Sequence, residues 1–175
     1  MRRPVVGVMG SGKERWDDLA RPLGLWLAGQ GCHLLTGGGS GVMSAVAEAF
    51  ASVERRGGAV IGILPGDEEQ GVVVPPPGYP NEWVEIAIHT HLPFSGAHGT
   101  EAFSRNHLNV LSADVVIALP GSVGTRSEVV LALRYAKPLI LFGPTEAFAG
   151  FPEEVERTAS MPRIHEFVRA HLTRR

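Results

Sequence analysis

Five short apolar runs recur along this chain, at residues 4–9 (PVVGVM), 32–36 (CHLLT), 59–64 (AVIGIL), 114–119 (DVVIAL) and 138–142 (PLILF). None shows the strict polar–apolar alternation of a strand with one wet face, so each predicts a strand covered on both sides. A further strand is expected at residues 84–88. Between the runs lie helical patterns: Leu19, Leu23, Trp26 and Leu27; then Val42, Val46, Ala49, Phe50 and Val53; then residues 101–112; then a helix reaching Tyr135. A last helix carries Ile164, Phe167, Val168 and Leu172 on one face. Asp17 and Asp18 are candidate caps of the first helix, Gly29 and Gly31 its stop, and Gly57-Gly58 the stop of the second. Strands alternating with helices give an α/β chain with a doubly wound, mostly parallel sheet of about six strands. Ligands of such sheets sit beyond the carboxyl ends of the strands.

The chain has 175 residues, enough for one domain over 1–175, and 44% of them are apolar against 19% charged, the balance of a folded protein. A net charge of −2 argues against nucleic acid and membrane surfaces as partners. No apolar run is long enough to span a membrane, and the start, MRRPVVGVMGSGKERW, lacks the apolar stretch of a signal peptide. One cysteine, Cys32, excludes an internal disulfide and suits a reducing cytoplasm. No internal repeat is present. Residues 65–83 read as a long loop rich in Pro, Gly and acid, and residues 89–100 as an irregular insert.

Three glycine-rich turns fall where a ligand would sit. The first runs from Gly7 through Gly10, Ser11 and Gly12 to Lys13 and has the spacing of an NTPase phosphate loop, but Glu14 stands where the Mg²⁺-binding hydroxyl belongs. A turn lining the pocket with Gly10, Ser11 and Lys13 is the better reading. The second holds Gly37, Gly38, Gly39, Ser40 and Gly41, followed by Val42 and Met43. Its successive glycines allow backbone N–H groups to converge on an anion at a helix start; the alternative is a tight strand-to-helix turn. It lacks the downstream acid of a dinucleotide fingerprint, because Ile61 occupies that place. The third is LPGSVGTRSE, with Pro120, Gly121, Ser122, Gly124, Thr125 and Glu128. Thr125 is a candidate helix cap and phosphate ligand. Glu128 is the puzzle, since a carboxylate repels phosphate: either it acts on something attached to the phosphate, or it is a first-turn acid favoured by the helix dipole.

Together "TGGGSGVM" and "PGSVGTRSE" resemble the LONELY GUY family and its wider Rossmann-like superfamily, whose members were once labelled lysine decarboxylases. Enzymes of that family are nucleoside 5′-monophosphate phosphoribohydrolases. Arg105 and Glu128 match the family's functional Arg and Glu, while Ser122 replaces a motif glycine and Asn106 replaces a lysine. The stretch from Ser104 to Leu141 is closer to the molybdenum-cofactor carrier branch, whose members bind molybdopterin. The resemblance therefore implies a phosphorylated nucleotide or pterin as ligand, with molybdenum cofactor as carried cargo, and leaves hydrolysis as the alternative. As a hydrolase, Glu128 would stabilise the cationic ribose and Arg105 would position the nucleotide. As a carrier, Arg105, Asn106 and Asn109 would add donors; otherwise Asn106 and Asn109 face solvent. The family implies a homodimer or higher homo-oligomer, and the run Val129 to Leu133 fits such a contact or burial on the sheet equally well.

Glu101 is the one further acid considered for chemistry. His89 and His91 are expected on one strand face, with His98 and His107 nearby, but no cysteine or carboxylate completes a metal set, so no metal is assigned. Cys32 reads as packing, and Arg169, Arg174 and Arg175 as a solvated helix side.

Overall fold

A computed structural model describes residues 2–69 and 72–172. In chain order the elements are β1 (Val5–Met9), α1 (Asp17–Ala28), β2 (His33–Thr36), α2 (Val42–Ala51), β3 (Val60–Leu64), β4 (Asp67–Glu69), β5 (Val72–Val74), β6 (Ile86–His89), α3 (Asn106–Ser112), β7 (Val115–Ala118), α4 (Val123–Arg134), β8 (Leu139–Phe142), β9 (Arg157–Thr158) and α5 (Met161–Leu172). Seven strands form one sheet in the order β6-β3-β2-β1-β7-β8-β9, every pair parallel.

The apolar runs do what their lack of alternation requires. Along β1, Val6 and Val8 join one core cluster with Leu23, Leu27, Phe50, Ile164 and Val168 from α1, α2 and α5. Val5 and Met9 join the other, with Val110, Val129, Leu131 and Ala132 from α3 and α4. Successive side chains point to opposite faces, so helices on both faces are needed and the sheet is doubly wound. The order of strands reverses at β1, with β2 on one side and β7 on the other. A crevice opens at such a switch point, beyond the strand ends.

The structure departs from the sequence reading in several places. The sheet has seven strands, because the two-residue β9 pairs with β8 through Leu141 and Phe142. The expected loop at residues 65–83 holds an antiparallel hairpin, β4 with β5. The strand expected at 84–88 is shifted to Ile86–His89, and as an edge strand it leaves Ile86 and Ile88 exposed rather than covered. The helix expected at 101–112 begins only at Asn106; before it, Ser104 bridges to Phe94 and accepts the Asn106 N–H on its hydroxyl. Asp17 and Asp18 lie inside the first turn of α1, whose cap is Trp16 in a left-handed conformation. Asp17 pairs instead with Arg15 at 3.1 Å. α2 ends at Ala51, ahead of Gly57-Gly58.

Candidate functional site

Main-chain hydrogen bonds gather the three glycine-rich turns at the switch point. The Ser11 N–H donates to the Pro120 carbonyl at 3.1 Å, and the Val42 N–H donates to the Ser11 carbonyl at 2.9 Å. The Ser40 hydroxyl donates to the Gly12 carbonyl at 2.7 Å. The Ser11 hydroxyl oxygen accepts the N–H groups of Lys13 and Glu14, so it serves its own turn.

A cleft of about 160 Å³ lies where these turns meet. Of the residues expected at the site, Gly10, Met43, Arg105, Asn106, Ser122, Gly124, Thr125 and Glu128 line it. Ser11, Gly37, Gly38, Gly39, Ser40, Gly41, Asn109, Pro120 and Gly121 are not among the residues that line it. The glycines of the second turn are matched to the protein itself. Arg105 lies so close over Gly37 that a β-carbon there would collide with its guanidinium. Gly41 has φ of 66°, and a β-carbon on it would strike the Ser11 carbonyl. The Gly38 N–H donates to the Thr36 hydroxyl at 3.0 Å. Glycine is needed here for close approach and a left-handed backbone, and the second turn supports Arg105 from below.

The third turn is organised differently from expectation at one point. α4 starts at Val123 with Ser122 as its cap residue, so Thr125 lies within the first turn and caps nothing. The first intrahelical bond from this end is the Arg126 N–H to the Ser122 carbonyl. The N–H groups of Val123, Gly124 and Thr125 thus have no acceptor in the helix, and they and the dipole favour an anion at this end. Gly12 of the first turn also lines the cleft, as do Tyr79, Ser95 and Gly96, which were not anticipated. Tyr79 was foreshadowed only as the lone aromatic of the segment PPPGYP. Ser95 and Gly96 come from the insert, which docks on α4 where the Ser127 hydroxyl meets the Gly96 carbonyl at 3.3 Å.

Arg105 and Glu128 set the electrostatics. Arg105 is 5% exposed, donates from Nη1 to the Ile63 carbonyl at 2.9 Å, and lies 5.8 Å from the Tyr79 ring centroid. Its Nε is buried without a partner, as is Oδ1 of Asn109. Glu128 is 8% exposed, and its Oε1 accepts from Asn109 Nδ2 at 3.1 Å. Burial pushes the Glu128 carboxyl up to about 7, against the opposing pull of the Arg105 charge and the Asn109 amide. Asn106 and Asn109 are both buried, which overturns the solvated alternative; Asn106 reaches Ser127 at 3.4 Å.

The profile of the SLOG cluster4 family matches residues 3–168. The chain belongs to this family. A relative from Archaeoglobus fulgidus, an uncharacterized protein, is 30% identical over 161 residues, covering 88% of this chain and 93% of the relative. The molybdenum cofactor binding protein of the phototrophic bacterium Rippkaea orientalis is similar in structure, with a TM-score of 0.75 and 36% identity, covering 99% of each chain. The molybdenum cofactor carrier protein of Chlamydomonas reinhardtii gives a TM-score of 0.68 and 31% identity, covering 98% of this chain and 99% of that one. The motif resemblance to the LONELY GUY superfamily and its carrier branch is thereby borne out.

Elsewhere in this SLOG chain the remaining candidates lie away from the cleft lining. Glu101 is exposed, outside the cleft lining, and paired with His98 at 2.5 Å. β6 ends at His89, Thr90 turns inward to donate to the Leu64 carbonyl, and His89 and His91 face solvent. Among the described residues no group of three His, Cys, Asp or Glu is placed to hold a metal, and no helix is long and apolar enough to cross a membrane. Cys32 is buried, its thiol pushed up to about 11 by burial. Arg169 lies over Trp26 at 5.7 Å, while Arg174 and Arg175 are outside the described residues.

Proposed function

We propose that this chain binds molybdenum cofactor, a phosphorylated pterin, and holds it as cargo rather than cleaving a nucleotide. Its phosphate would meet the free N–H groups at the start of α4, with the Arg105 guanidinium supplying the balancing charge. The likeness to two molybdenum-cofactor proteins over nearly the whole chain supports this. The observation that carries it is the makeup of the cleft: the N–H groups that open α4 without a helical acceptor, the buried Arg105 and a single carboxyl. Glu128 is the only carboxylate lining the cleft among the described residues, and Asn109 holds it. A two-carboxylate glycosidase would add a second acid, and Glu101 is placed elsewhere.

The reading rests on a simple test. Protein purified from cells that make the cofactor should release a pterin on denaturation, identified by mass and by the fluorescence of its oxidised form. The same protein incubated with AMP should release no adenine. Adenine release that disappears in Glu128→Gln, with no pterin retained, would replace the carrier with a phosphoribohydrolase.

In this reading the carrier works in the cytoplasm, where a lone buried cysteine stays reduced. Two copies pair through the outer sides of α3 and α4. Exposed Leu108, Leu111, Val123 and Leu133 support that contact, whereas Val129, Leu131 and Ala132 of the same helix are buried in the core. Light scattering should give a dimer that Leu111→Asp converts to monomer; an unchanged monomeric mass in both would rule the pairing out.

A further inference from the structure

A second hollow of about 530 Å³ adjoins the cleft, and the two share Tyr79 as a wall. Its sides are Pro65, Pro75, Pro76, Pro77, Pro93 and Val74. No charged side chain is among its described lining residues. Proline has no N–H to donate, so the proline wall gives an anion few donors. Among the described residues it offers main-chain polar surface, ring carbon and one aromatic ring.

The wall is fastened to the site. The Asn81 N–H donates to the Gly38 carbonyl and its Nδ2 to the Gly39 carbonyl, each at 2.7 Å. The Gly66 N–H reaches the Leu92 carbonyl at 3.3 Å, which joins the start of the proline-rich segment to the insert. Tyr79 is set against Gly39, where a β-carbon would lie 2.7 Å from its ring, and its other neighbour is the Arg105 guanidinium. Arg105 therefore stands at the joint between the cleft and the hollow.

Size separates the roles of the two. Pockets that enclose a small organic ligand run from roughly 300 to 1,000 Å³. The cleft, at 160 Å³, falls short of that, and the hollow, at 530 Å³, lies within it. We propose that the hollow receives the planar ring system of the ligand, packed between Tyr79 and the prolines, while the cleft receives only its phosphate. The ligand class is thus a phosphomonoester bearing a bicyclic or larger heterocycle, and a ringless phosphomonoester leaves the hollow unfilled. This rests on the binding reading given above and assigns the two parts of such a ligand to separate places.

Titration calorimetry with neopterin monophosphate and with glycerol 3-phosphate tests the division of labour. The wild-type protein should bind the pterin ester at least about tenfold more tightly, the gain from one buried ring system. Val74→Trp, which fills the hollow, and Val74→Asp, which puts a charge in it, should each remove that advantage and leave glycerol 3-phosphate within about twofold. Val74 is half-buried on a short hairpin, and a melting curve for each variant verifies folding. Equal affinity for the two esters in the wild type overturns this inference alone, since an anion site would remain. Variants that fold yet weaken both esters alike, or neither, also overturn it. Binding of neither ester by the wild type, in protein freed of endogenous ligand, would overturn the anion site and this inference with it.

Discussion

Replacing Glu128 by glutamine should stabilise the protein in alkaline solution, an unusual result for a substitution at a buried polar position. In the unfolded chain the carboxyl releases its proton near its ordinary value of 4.5, and in the folded chain it keeps the proton to about 7. Between those pH values the unfolded chain binds fewer protons, so stability falls as pH rises through the window, and the loss is complete above it. Each pH unit of difference corresponds to about 1.4 kcal/mol, which puts the full loss at about 3 kcal/mol. Glutamine escapes this loss, and its amide oxygen still accepts from Asn109 Nδ2. Wild type and Glu128→Gln should therefore melt at nearly the same temperature at pH 4.5. By pH 8 the variant should melt about 6–12 °C higher, at roughly 2–4 °C per kcal/mol for a chain of this size. Scanning calorimetry of both proteins from pH 4.5 to 8.5 gives the difference directly, and every other titrating group cancels in it. A variant that melts below the wild type at pH 8, or a difference that does not change with pH, would refute a carboxyl governed by burial. It would mean instead that the Arg105 charge dominates and that Glu128 is ionised throughout.

Arg105→Lys should weaken phosphate-ester binding by about 1.5–3 kcal/mol, because an ammonium cannot reproduce the fork that holds both Ile63 and an anion; calorimetry measures it. Gly41→Ala should cost more than about 2 kcal/mol of stability in urea unfolding, since both φ of 66° and the Ser11 carbonyl oppose a side chain. Asn81→Ala removes the side-chain bond to the Gly39 carbonyl and the one that Oδ1 accepts from the Trp83 N–H, leaves the backbone N–H on Gly38, and should cost about 1–3 kcal/mol. Hydrogen exchange in that variant should accelerate across residues 75–83 while the amides of β1 and β7 stay protected.

Strand and helix patterns carried the fold because burial on both faces is written into each strand. Val5 to Met9 are buried at every position, and that needs helices above and below. Elements that bury little left little trace. β9 has two residues, both only partly buried, and is defined by its partner β8 rather than by its own side chains. β4 and β5 have three residues each and pair only with one another. The start of α3 was misplaced because Ser104 and Asn106 are satisfied by local bonds that no hydrophobic period records.

Many of the expected site residues gather at one cleft, and what the sequence leaves open is what each glycine makes room for. Four glycines in five residues suggested an anion cradle, yet in three dimensions Gly37 admits Arg105, Gly39 admits Tyr79 and Gly41 admits the Ser11 carbonyl. A glycine that yields room to a neighbouring side chain and one that yields room to a ligand are identical in sequence. Only the neighbour distinguishes them, and here the neighbours come from distant loops. The same logic explains Glu128. Its place near a helix start suggested an acid acting on something attached to the phosphate or one favoured by the dipole, whereas burial beside Arg105 and Asn109 sets its proton affinity. A carboxyl that is largely neutral below pH 7 no longer opposes a phosphate a few residues away. The acid and the anion site coexist because burial raises the acid's proton affinity, which lowers its charge as pH falls through about 7.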